Sequence, residues 1–207
     1  MIKTIPRGLY ALTDSQLIAE ENLVPAVAAA IAGGAVMVQY RDKSENAARR
    51  RWEAQDLANL CHSLRVPLII NDDVALAAEL GAAGVHLGKD DADIAAARTQ
   101  LGEQAIIGIS CYNELERALS AEAGGADYVA FGSFFSSSIK PAAPVASIEL
   151  LRQARVQLQV SLVAIGGINA DNGGQLIEAG ADLLAVISAV FAQADIRTAA
   201  QNISQLF

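Results

Sequence analysis

The chain has 207 residues, 53% of them hydrophobic, and 15 lysines and arginines against 23 aspartates and glutamates give it a formal charge of −8. That size suits one α/β domain over residues 1–207, and the negative balance disfavours nucleic-acid or acidic-membrane surfaces, so any phosphate site must be local. No window approaches the ~18 unbroken apolar residues of a membrane span, no signal peptide follows Lys3 and Arg7, and Cys61 and Cys111 fall in no metal or redox spacing, which points to a reduced, cytoplasmic protein.

Strand-like and helical stretches alternate along the chain, and each strand-like run stops at a polar or glycine-containing cluster. Run 9–12 stops at Thr13-Asp14, a helix is predicted over 20–32, and run 35–38 ends in Gln39-Tyr40-Arg41-Asp42-Lys43. After a helix over 46–64, run 67–70 ends in Asn71-Asp72-Asp73, and a short helix over 74–80 leads to run 84–87 and Gly88-Lys89-Asp90-Asp91. A helix over 92–100 precedes run 105–109, which stops at Ser110-Cys111, and a helix over 114–123 precedes run 128–131. The loop that follows contains Ser136-Ser137-Ser138-Ile139-Lys140-Pro141. Helices over 147–156, 170–179 and 195–206 then frame runs 161–165 and 183–187, which meet Gly166-Gly167 and Ser188.

Four helix-to-strand joins, at 32–35, 81–84, 123–127 and 179–182, share an alanine and glycine pattern that stops a helix, and their spacing suggests a repeated βαβα unit. Eight βα units point to a (β/α)8 barrel, with all the strand ends converging on one face. An open doubly wound sheet is the alternative, but it would serve its ligand mainly from two or three strand ends.

The clusters differ in chemistry. Gly166-Gly167 before a new helix, with Ile187-Ser188, reads either as a tight turn or as the phosphate cradle that barrels build after their last two strands. The serine loop ending at Lys140 suits a phosphate but also suits solvent. Asp72 and Asp91 follow adjacent strands, where two carboxylates could hold one Mg²⁺ completed by water and substrate phosphate. Gln39, Arg41 and Lys43 alternate along an extended segment, which puts their side chains on one face as an anion-facing comb or a salt-bridge patch. Only two histidines are present: His62 reads as structural, and His86, inside strand four, as a satisfied interior residue rather than a base. With no nucleophile motif in view, positioning and charge stabilisation are the expected means of catalysis.

The ordered set 38–43, 70–72, 84–91, 108–110, 125–132, 165–168 and 186–188 resembles the thiamine phosphate synthases, in order and spacing, over nearly the whole chain. That resemblance implies a barrel enzyme joining 4-amino-2-methyl-5-(diphosphooxymethyl)pyrimidine to 4-methyl-5-(2-phosphooxyethyl)thiazole, by loss of diphosphate to a carbocation that the thiazole nitrogen captures. It implies Mg²⁺ on Asp72 and Asp91, with Lys140, Ser110 and Arg41 as catalytic residues. Gln39, Tyr40, Arg41, Asp42, Lys43, Asn71, Ser110, Ser137, Ser138, Ile139, Lys140, Gly167, Ile187 and Ser188 would bind the substrates. The family's Thr-x-Thr-Lys loop is here Ser137-Ser138-Ile139-Lys140, so Ile139 lacks a hydroxyl, and Ile139→Thr is expected to tighten thiazole phosphate binding.

The alternatives are a thiazole tautomerase-like relative, disfavoured because its histidine position holds Tyr112, and a noncatalytic phosphate-ligand barrel. Small molecules are the expected partners, with no nucleic acid or membrane. A homo-oligomer is left open. Loop 132–144 is long enough to act as a lid.

Overall fold

The computed structural model describes residues 5–88, 93–135 and 146–207. Its strands are β1 (Gly8–Leu12), β2 (Ala35–Tyr40), β3 (Leu68–Asn71), β4 (Gly84–Leu87), β5 (Ile106–Tyr112), β6 (Tyr128–Phe131), β7 (Ser161–Ile165) and β8 (Leu183–Val186). They pair in parallel in chain order, and β8 returns to β1 with Leu184 opposite Leu9, closing the barrel and excluding the open sheet. The helices are α1 (Leu23–Ala32), α2 (Ala47–Leu64), α3 (Val74–Leu80), α4 (Ile94–Leu101), α5 (Leu115–Ala123), α6 (Ile148–Gln157), α7 (Gly174–Glu178), α8 (Ser188–Phe191) and α9 (Ile196–Ser204).

Successive strand residues point to opposite faces, so each strand feeds two cores. Leu9, Val38, Tyr40, Ile70, Val85, Ile107, Val129, Leu162 and Leu184 face outward and pack under the helices. Tyr10, Leu12, Met37, Ile69, Tyr128, Ala130, Val163, Leu183 and Ala185 face inward and fill the barrel. Both sets are nearly or wholly out of water, which is why the strands read as continuous apolar runs.

Several elements depart from the expected bounds. β2 runs on to Tyr40 because Gln39 and Tyr40 find partners on opposite faces of the sheet, in Tyr10 and Glu53. β5 continues to Tyr112 through a register shift after Ser110. α7 starts only at Gly174, because the Asn169 side chain accepts from the N–H groups of Asp171 and Asn172 and holds that stretch as a loop. The four-residue α8 directly after β8 is too short to leave a periodic signal. No helix among the described residues is long and apolar enough to cross a membrane.

Candidate active site

Inside the barrel the inward-facing positions carry a chain of polar side chains. Gln39 Nε2 donates to Tyr10 Oη at 2.8 Å, and Tyr10 Oη lies 2.9 Å from Tyr128 Oη. Tyr128 Oη lies 2.9 Å from His86 Nδ1, and His86 Nε2 lies 2.9 Å from Ser110 Oγ. Five strands contribute one residue each. The Tyr128 ring fits because position 108 is glycine: a Cβ there would sit 1.9 Å from the ring's Cζ. The ring also stacks on His86 at 5.5 Å and meets Tyr10 edge-on at 6.0 Å. Burial raises both tyrosines well above the usual phenol range, so both keep their protons.

At the C-terminal ends of β1 to β3 the polar groups are charged. Asp14, just past β1, accepts from Arg41 at 3.0 Å, and Thr13 Oγ1 accepts the Arg41 backbone N–H at 2.9 Å, so the β1 loop fixes Arg41 at both ends. Asp72, just past β3, has a φ of 63°. Aspartate tolerates that left-handed conformation better than most residues. Its Oδ2 accepts from Lys43 and, at 2.6 Å, from Asn71 Nδ2. Arg41 and Lys43 thus reach the same rim, each beside a carboxylate, and each keeps further N–H donors for an anion.

The loops after β7 and β8 form the third part. Gly166 and Gly167 have φ of 103° and 64°, and a Cβ on Gly166 would meet Ser133 Oγ at 2.0 Å, so the β6 and β7 loops pack with no room for a side chain. Asn172 Nδ2 donates to the Gly167 carbonyl at 3.0 Å. Ile187 caps α8, and its carbonyl accepts from Val190 and Phe191, so the N–H groups of Ser188 and Ala189 open the helix without an intrahelical acceptor.

The structure brings Gln39, Arg41, Lys43, Asn71, Asp72, Ser110, Gly167, Ile187 and Ser188 to the interior or the strand-end rim of one barrel. Tyr40 and Asp42 are placed otherwise. Tyr40 points outward, donating to Glu53 Oε2 on α2 at 2.6 Å. Asp42 is buried and accepts from Ser15 Oγ, Ser44 N and Ser44 Oγ, so its carboxylate ties the β1 and β2 loops together. Burial works to raise the Asp42 carboxyl, but those hydrogen bonds and the Arg49 charge outweigh it and hold it below the usual range. Cys61 and Cys111 are buried, which pushes both thiols up to about 12 and leaves them unreactive.

Asp91 and the loop residues Ser137, Ser138, Ile139 and Lys140 lie outside the described residues, as does most of the expected lid. Among the described residues no three His, Cys, Asp or Glu side chains cluster as a metal site. Asp72 nevertheless suits Mg²⁺ chemically: it is an oxygen ligand on the rim, its two donors use Oδ2 rather than Oδ1, and Mg²⁺ commonly takes one or two carboxylates plus substrate phosphates. Sequence reasoning gave Tyr10 and Tyr128 no role, and it placed Asp14 in a strand-end cluster without a partner or task. The signal for the tyrosines was their inward parity within β1 and β6.

A family model described as thiamine monophosphate synthase matches residues 9–190. The chain is 55% identical to the thiamine-phosphate synthase of Nitrosococcus oceani, covering 97% of this chain and 93% of that one. It is 53% identical to the Methylococcus capsulatus enzyme of the same name, over 97% of this chain and 89% of the relative. Among solved structures, a thiamine phosphate pyrophosphorylase from Pyrococcus furiosus superimposes with a TM-score of 0.87 at 36% identity, covering 96% of this chain and 94% of that one.

Proposed function

From the premise that this chain belongs to the thiamine monophosphate synthase family and is a transferase of thiamine biosynthesis, we propose the following assignment of its reaction to its own residues. The substrates are the pyrimidine diphosphate and the thiazole phosphate named above, and the products are thiamine phosphate and diphosphate. The observation that carries this reading is the rim itself: on a chain of charge −8, Arg41 and Lys43 both follow β2 and meet carboxylates from the ends of β1 and β3, with N–H donors to spare.

The pyrimidine's CH₂–O bond breaks first, and its electron pair leaves with the diphosphate oxygen. Arg41 and Lys43, joined by Lys140, receive that developing charge, and Asp14 keeps Arg41 aimed so that little reorganisation is needed. Asp72 and Asp91 would hold Mg²⁺, which when bound neutralises charge on the departing diphosphate. Gln39 and Ser110, at the two ends of the interior chain, face the pyrimidine ring. The backbone N–H groups around Gly167, Ile187 and Ser188 hold the thiazole phosphate, and Ser137, Ser138 and Ile139 are assigned as further substrate-binding residues. The thiazole nitrogen then gives its lone pair to the carbocation and forms the new C–N bond. The unreactive, reduced cysteines suit a cytoplasmic enzyme.

Incubating the protein with both substrates and Mg²⁺ tests the reading. Equal molar amounts of diphosphate and thiamine phosphate are expected, and release of neither would reject it.

A further inference from the structure

The five-residue chain inside the barrel has a direction, and its first member sets it. An amide nitrogen can only donate, so Tyr10 Oη accepts from Gln39 Nε2 and must place its own proton elsewhere. Among the described residues its acceptor is Tyr128 Oη, which in turn has His86 Nδ1 to receive its proton. A neutral histidine whose Nδ1 accepts carries its proton on Nε2. That proton is aimed at Ser110 Oγ, 2.9 Å away, so the Ser110 hydroxyl proton is the one left to give. Ser110 is also the more open end of the chain: it is half-buried, whereas Gln39, Tyr10 and Tyr128 are almost wholly enclosed. Burial keeps both phenols protonated at any pH near neutral, so each remains a donor as this order requires.

We propose that Tyr10, Tyr128 and His86 are positioning residues, a one-way hydrogen-bond chain started by Gln39 that presents Ser110 as a donor to a ring nitrogen of the pyrimidine. With the opposite polarity Ser110 would offer a lone pair and would select the exocyclic amine instead. The direction of the chain therefore decides which way round an aminopyrimidine lies against β5. Naming the pyrimidine rests on the reaction proposed above, but the polarity belongs to the resting protein.

Nitrogen NMR of protein labelled at the histidine side chains reads the tautomer directly, and exposed His62 supplies an unconstrained reference in the same spectrum. For His86 the expected result is a bare Nδ1 and a protonated Nε2. Gln39→Glu, which turns the first donor into an acceptor, is expected to move the proton to Nδ1 and to lower kcat/KM for the pyrimidine diphosphate about tenfold, the equivalent of one hydrogen bond. Tyr128→Phe keeps the stacked ring but removes the donor to Nδ1, and both tautomers are expected together. A wild-type His86 protonated on Nδ1, or on both nitrogens, overturns the proposal, as does a Gln39→Glu spectrum identical to wild type. The spectra need no substrate, so a failure to release diphosphate would strike the proposed reaction and leave this result standing.

Discussion

At the end of the barrel where the strands begin, Asp127 and Asp182 each accept a backbone N–H and a guanidinium on one oxygen. Asp127 takes Ile107 N at 2.8 Å and Arg98 at 2.8 Å; Asp182 takes Leu162 N at 2.9 Å and Arg155 at 2.8 Å. Arg98 and Arg155 go on to bind nearby carbonyls, so each pair clamps a strand start to a helix end. Where the strands finish, Asp14 and Asp72 also face cations, but their partners are Arg41 and Lys43, which retain unused donors, and the Lys43 side chain is 59% exposed. The same pairing therefore does different work at the two ends. A carboxylate oxygen shared between a strand N–H and a guanidinium fixes register, whereas Asp72 Oδ2 meets only side chains and Asp14 turns one oxygen to Arg41 while the other takes the N–H of Gln16 in its own loop, so each aims a cation and leaves it available. The clamps recur before β6 and β8, where two of the glycine joins lie, so the repeat visible in the sequence is a repeat of the structural end.

That contrast can be broken by substitution. Asp127→Ala leaves the Arg98 charge and the Ile107 N–H without this partner in a site where the Asp127 side chain is only 7% exposed. It is expected to cost about 3 kcal/mol and to lower Tm by roughly 6–12 °C, with KM for both substrates unchanged. Asp182→Ala should do the same to a smaller extent, because Arg155 and Asp182 are wetter. Asp14→Asn weakens the hold on Arg41 and is expected to raise KM for the pyrimidine diphosphate by about fivefold, equivalent to about 1 kcal/mol, while calorimetry shows little change in Tm. Asp42→Asn sharpens the comparison, since Asp42 belongs to the strand-end loops but is buried in structural bonds. Its folded carboxyl lies below the ordinary value of 3.8, so its contribution is full above that pH and is lost as pH falls through the folded value. The variant's stability deficit should be present at neutral pH and vanish in acid, with KM unaltered.

Much of this architecture was legible from one property, the termination of each apolar run at a polar cluster, because a parallel barrel buries both strand faces and leaves only the ends wet. The rim cations and Asp72 were legible for the same reason. Tyr40 and Asp42 were not separable from their neighbours by composition, and only the face each takes after Val38 shows that they look away from the lumen. Tyr10 and Tyr128 read as ordinary apolar strand residues, because the partners that make them polar come from strands distant in sequence. Asp14 was seen as a strand-end cluster, but its bond to Arg41 depends on β1 and β2 lying side by side.

The division between the two ends is tested most directly by measuring Asp72→Asn, which removes the charge but suits the left-handed backbone at that position, for two properties at once, the rate of diphosphate release and the midpoint of thermal unfolding. Loss of the carboxylate that holds Lys43 and Asn71 at the rim is expected to slow release by about a hundredfold, with a midpoint within about 2 °C of wild type. Release at the wild-type rate, or a slowing no greater than the loss of folded protein, would contradict the account.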